Sequence, residues 1–173
     1  MRSALIFLLA LLVAGCATYS GAELLPGSST AAQVEAVMGP PAEKVSLSTG
    51  DTVWFYPNQP YGRVSYAVVL GADGIVRSVE QRLTEKSMQR IVPDSSTMQE
   101  VRALLGPPTA VVRYPNRNGD SWEYNMLGGP INDWKILSVR FDQAGLVRDV
   151  SYVDDPDSPR LRRRGGFRFS LGF

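Results

Sequence analysis

The 173-residue chain contains no histidine and a single cysteine, Cys16. Without imidazole it lacks the commonest general base and the commonest metal ligand. Without a second thiol no internal disulfide can form, and the donor set of a zinc site is missing. No nucleophile–base constellation stands out in the remaining residues. An enzyme is therefore not expected, nor a metal, a cofactor or a nucleic-acid partner. The N-terminal apolar stretch from Ala4 to Ala14 is about eleven residues long, well short of the ~20 that span a bilayer. Excess charge of either sign is also absent, at a formal +1 overall, but that figure conceals an asymmetry. Setting aside Arg2 and the late arginines Arg160, Arg162, Arg163, Arg164 and Arg168 leaves 12 of the 18 basic residues against 17 acidic ones, a body of −5. Positive charge belongs to the C-terminus.

What is present begins with location. Arg2 followed by the short apolar run fits a secretory signal. The run closes on Leu12-Val13-Ala14-Gly15-Cys16, which resembles the bacterial lipobox. That resemblance implies cleavage before Cys16 and a diacylglycerol thioether on its sulfur, with a further acyl chain such as palmitate. Two or more chains suffice for stable anchoring. Ala17, where the pattern reserves aspartate for inner-membrane retention, implies the periplasmic face of the outer membrane. The plainer alternative is an ordinary secretion signal with a chance cysteine. Residues 1–15 are thus expected as signal peptide and 16–22 as a lipidated linker.

The body says one thing twice. The segment Pro26 to Pro41 returns as Pro93 to Pro108, 67 residues later, the length of a small domain rather than a solenoid unit. Thr30 with Gln33, and Thr97 with Glu100, fit the capping box, in which threonine and the later side chain each satisfy an orphan backbone donor. Val34, Val37 and Met38 share one helical face, as do Val101, Leu104 and Leu105. Gly39 and Gly106 are placed to end these helices in a left-handed turn, and the Pro-Pro pairs forbid continuation. Helices this short must dock on something. Alternating strands flank Gly50-Asp51 and Asn118-Gly119, and Asp73-Gly74 and Ala144-Gly145 lead into last strands. Thr84 to Ile91 reads as a further helix opening the second copy, and Leu24 and Leu25 as a weaker equivalent in the first. The expected fold is α+β: two tandem repeats, 23–83 and 84–153, each a short helical segment followed by a 3–4-stranded antiparallel sheet. Their thin cores should pack together and share a sheet, with 154–173 as an acidic-to-basic tail.

Thr97, Val101, Leu104, Leu105, Gly106, Pro107, Trp122, Tyr124, Phe141, Gly145 and Val150 together resemble the SmpA/OmlA (BamE-like) outer-membrane lipoprotein domain. Thr30, Val34, Val37, Gly39, Pro40, Trp54, Tyr56, Gly74 and Val79 repeat the pattern in weaker form. The resemblance covers about residues 24 to 153. It implies a non-enzymatic outer-membrane lipoprotein, an accessory or scaffold subunit in β-barrel protein assembly or envelope integrity, with envelope proteins such as the β-barrel assembly machinery as partners. The duplication departs from the single-domain pattern and is similar to the β-lactamase-inhibitor proteins. That implies the alternative, a periplasmic enzyme-inhibitor or ligand-binding lipoprotein, although those inhibitors carry disulfides this chain cannot form.

Trp54-Phe55-Tyr56 and Trp122-Glu123-Tyr124 share a register and read as core in preference to partner anchors. Tyr61, in a loop from Pro57 to Gly62, and Met126, Leu127 and Trp134, in a loop from Met126 to Trp134, are the candidate partner-binding residues, since exposed aromatic and methionine side chains suit interfaces. Packing of the loops themselves is the competing reading. Asp154 to Pro159 reads as an acidic linker. Beyond it, Arg160, Arg162, Arg163 and Arg164 are candidates for anionic lipid head groups. Phe169 and Phe173, in a period-two run, are candidates for a strand added to a sheet edge. A disordered basic tail is the alternative.

Overall fold

The computed structural model describes residues 20–58, 62–113, 119–129 and 133–165. Cys16, Tyr61, Phe169 and Phe173 lie outside them, as does the expected signal peptide.

The fold is α+β, with two antiparallel four-stranded sheets and a few short helices. The first copy runs α1 (Ala31–Met38), β1 (Glu43–Ser46), β2 (Thr52–Pro57), β3 (Ser65–Leu70) and β4 (Val76–Gln81). The second runs α2 (Glu85–Met88), α3 (Met98–Leu105), β5 (Ala110–Arg113), β6 (Asp120–Gly128), β7 (Asp133–Phe141) and β8 (Val147–Asp154), and α4 (Pro159–Gly165) follows. Strand order is sequential in both sheets, as short turns between antiparallel neighbours dictate. Expected and observed elements differ at Thr84 to Ile91, where the helix is only one turn, capped by Thr84 on the Ser87 N–H. Leu24 and Leu25 lie in the irregular segment between two turns, not in a helix.

Both capping boxes form. Thr30 Oγ1 accepts from the Gln33 N–H at 3.4 Å and Gln33 Oε1 from the Thr30 N–H at 2.8 Å; the Thr97/Glu100 distances are 3.2 and 2.7 Å. Each cap also enters the sheet system, with Thr30 bridging Ile75 and Thr97 bridging Leu146. That bond pins the start of the helix to the start of the last strand. Gly39 and Gly106 end α1 and α3 at positive φ, but with ψ of −170° and −162°. This is the extended positive-φ region open essentially to glycine alone, not the left-handed helical turn expected. The chain therefore leaves each helix directly toward the first strand.

Helix α1 packs Val34 and Met38 on one face of the first sheet, against Trp54, Tyr56, Val68, Leu70 and Val76. Helix α3 packs Val101 and Leu105 on the second sheet, against Tyr124, Met126, Leu137, Val139, Phe141 and Val147. The two copies do not share a sheet. Instead α3 lies between the sheets, because the first sheet is apolar on its reverse face as well: Val53, Phe55 and Ala67 are buried there, flanked by Val45, Leu47 and Val69. Phe55 reaches Gly106, where an added Cβ would fall 2.5 Å from its ring. Arg102 on α3 pairs with Glu43 on β1 at 2.8 Å. Burying a side chain of that size contributes about 1.5–3 kcal/mol, and a two-faced sheet cannot be satisfied by its own helix alone. The layers run α1, first sheet, α3, second sheet.

Candidate interaction site

The reverse face of the second sheet is polar in its middle. Ser121 and Ser138 share a hydroxyl hydrogen bond of 2.8 Å, and Arg140 pairs with Asp149 at 2.8 Å. It turns apolar toward the far end of the β6–β7 hairpin, where Leu127, Trp134 and Ile136 stand half-buried. The hairpin continues there because the alternation Trp122, Tyr124, Met126 carries on along the core face, and Leu127 pairs with Trp134 across the strands.

Two segments converge on that end. From the β2–β3 connection, Arg63 lays its guanidinium 3.9 Å from the centre of the Trp134 ring. From beyond β8, Asp155 meets the same guanidinium at 2.6 Å, with both side chains less than a tenth exposed. Asp155 is fixed by its own N–H, which donates to the Trp134 carbonyl at 2.9 Å. Ser158, fully buried, donates its hydroxyl to Asp133 at 2.6 Å. That bond, then the Trp134 N–H and the charge of Arg160, hold the Asp133 carboxyl below the usual carboxylate range. Arg160 lies 3.4 Å from Asp133, and Arg162 lies 2.7 Å from Asp157.

The result is a groove of about 600 Å³ walled by Arg63, Asn125, Trp134, Ile136, Asp155 and Arg162. Arg63 Nε and Nη1 are buried and have no hydrogen-bond partner among the described residues. A guanidinium stacked on an indole, beside apolar strand ends and exposed charges, is the composition of a protein-recognition patch.

Three expectations are corrected here. Met126 and Leu127 belong to β6 and Trp134 to β7, so none is a loop residue. Met126 points into the α3 core at 1% exposure and offers nothing to a partner, whereas Leu127 and Trp134 take the opposite face. The acidic segment from Asp154 is not a free linker, since β8 includes Asp154, and Asp155 and Ser158 are buried. Arg160 and Arg162 are engaged within the chain, yet their side chains remain 58% and 69% exposed; such surface pairs contribute only about 0–1 kcal/mol, so either can exchange its carboxylate for another anion. Arg163 and Arg164 continue α4. Arg63 and Asp155 escaped the sequence reading because no local pattern links two residues so far apart. The continued alternation through Met126 was the available signal for the longer hairpin.

No protein-family model matches the chain, and no curated protein is similar to it. Among solved structures it is similar to a DUF4309 family protein (YjgB) from Bacillus subtilis, at 16% identity over 78% of this chain and 84% of that one, with a TM-score of 0.30. It is also similar to an extracellular protein containing an SCP domain from Bacillus anthracis, at 14% identity and a TM-score of 0.29. That match covers 84% of this chain, which spans about half, 48%, of the other protein's length.

Proposed function

We propose that the chain is a non-enzymatic outer-membrane lipoprotein, held at the periplasmic face by a lipid on Cys16 and acting by protein–protein binding. Its role is that of an accessory or scaffold subunit in β-barrel protein assembly or envelope integrity. The observation that carries this reading is the Arg63–Trp134–Asp155 groove, built from three distant segments and bordered by Arg162 of α4. The helix-then-antiparallel-sheet order in both copies supports the BamE-like resemblance, and the lipobox-like segment supports the anchor. This reading assigns Arg160, Arg162, Arg163 and Arg164 to lipid head groups or an acidic partner.

A second reading has one observation in its favour. The middle of the reverse face of the second sheet, with Ser138, Arg140 and Asp149, is polar and only partly buried. A tandem-repeat inhibitor would present such a face to an enzyme.

The test has two parts. Radiolabelled palmitate should be incorporated by the parent chain and not by Cys16→Ala. Capture from detergent-solubilised envelopes should then recover β-barrel assembly subunits, with recovery reduced several-fold by Arg162→Glu. Recovery of a hydrolase in their place would support the inhibitor reading, and absence of label would sink the anchor.

A further inference from the structure

A second cavity lies between the two copies, away from the groove. It is a crevice of about 350 Å³ between the reverse face of the first sheet, at Leu47 and Val53, and the helical part of the second copy, at Ile91, Val101 and Leu104. Its floor and sides are thus mostly aliphatic. Two guanidinium-bearing side chains, Arg82 and Arg90, line it as well, with Ser96 and Glu100.

Arg82 directly follows β4 on the strand's reverse-face register and is nine-tenths buried. Its N–H pairs with the Ser65 carbonyl at 2.7 Å, so the backbone position is fixed. Its guanidinium is poorly served. Nε is buried without a hydrogen-bond partner among the described residues. Nη1 meets Glu80 at 3.4 Å, and that carboxylate is half exposed. Burial pushes the guanidinium below its usual pKa, Glu80 opposes the shift, and the positive charge of Arg90 adds to it. Arg90, which is exposed, lines the same crevice. Glu100 also borders the crevice, but its carboxylate is held at the start of α3 by the Thr97 N–H and hydroxyl, at 2.7 and 3.1 Å.

Two guanidinium groups border one largely apolar crevice, and the buried one keeps an unpartnered Nε and only a 3.4 Å contact to a half-exposed carboxylate, which leaves room for a further anion. We propose that this crevice is a binding site for a small carboxylate carried on an apolar body, with the carboxylate between Arg82 and Arg90 and the body against Leu47, Ile91 and Leu104. At ~30 Å³ per water-sized group, the cavity holds about a dozen heavy atoms. That is ample for a short aliphatic acid. The site is independent of the lipid anchor and of the groove at Trp134.

The full chain in detergent micelles, labelled on isoleucine and leucine methyls, is titrated with hexanoate, with the neutral isostere hexanamide and with inorganic phosphate. Hexanoate should shift the Ile91 and Leu104 methyls saturably, and hexanamide and phosphate should bind about tenfold more weakly or less, since each lacks one half of the recognition. Arg90→Gln, at an exposed position that leaves folding intact, should weaken hexanoate about tenfold. Arg82→Gln should do the same, with its methyl spectrum reporting whether it remains folded. Equal titration by hexanoate and hexanamide, phosphate binding as tightly as hexanoate, an unchanged Arg90→Gln, or no saturable shift at those methyls would each overturn the proposal.

Discussion

The two copies open with the same phrase and end in different surroundings. In each, a threonine caps the helix and bridges the last strand. In each, a glycine at positive φ ends the helix, and the tyrosine of the second strand donates its hydroxyl to that glycine's carbonyl: Tyr56 to Gly39 at 3.2 Å, Tyr124 to Gly106 at 3.1 Å. Around these shared parts the neighbours differ. Helix α1 has one sheet beneath it and solvent above, and a Cβ on Gly39 would meet nothing within 4 Å. Helix α3 has a sheet on both sides, and a Cβ on Gly106 would strike the Phe55 ring. The lesson is that one local code can be kept while tertiary contact decides how much each residue matters. The second copy's helix packs on its own sheet and also touches the first; the first copy's helix is a lid on one sheet.

Removing the tie between the copies at the groove should have the largest effect. Arg63→Ala leaves Asp155 buried without its partner, which costs about 3–5 kcal/mol; chemical denaturation should read this as a shift in midpoint. The corresponding truncation of an exposed pair, Arg162→Ala, should stay within about 1 kcal/mol. Next in size is the glycine pair. Gly39→Ala should cost about 1–3 kcal/mol from backbone strain alone, whereas Gly106→Ala adds about 1–3 kcal/mol of overpacking against Phe55. Equal costs would erase the distinction drawn between the two helices.

The tyrosines come last. Tyr124→Phe should cost about 1 kcal/mol and Tyr56→Phe less, because Tyr124 is the more deeply buried. Their titration gives an independent check. Burial, followed by the charge of Glu35, pushes the Tyr56 phenol up to about 12, and burial raises Tyr124 further. A phenol harder to ionise in the folded state contributes stability that is intact below pH ~10. That stability is lost as the pH rises through the folded value, so denaturation midpoints should fall between about pH 10 and 12. Tyr56→Phe should flatten part of that fall.

Much of this frame was legible from residues alone, because the signals are local. Thr30 and Thr97 announce their caps three residues ahead, and Trp54/Tyr56 and Trp122/Tyr124 announce a core face by alternation. What escaped depends on contacts between segments. Phe55 alternates out of the first core and gives no sign in sequence that α3 will cover it, so a shared sheet was expected where a shared helix stands. The Gly-Gly-Pro run after Leu127 reads as loop, yet β6 extends into it as far as Gly128, with Met126 buried on the core face. Arg63 and Asp155 carry ordinary loop and linker signals, and only the folded chain brings them to Trp134. The site was half visible, since Trp134 and Arg162 were named and the pair that joins them to the first copy was not.

The central structural claim, that α3 is packed between the two sheets, is tested most directly by a double-mutant cycle on Phe55 and Gly106. If the Phe55 ring is what crowds Gly106, then in a Phe55→Ala background the added penalty of Gly106→Ala disappears and its cost falls to that of Gly39→Ala. The coupling would then be about 1–3 kcal/mol. An identical Gly106→Ala penalty with and without the Phe55 ring would contradict the account.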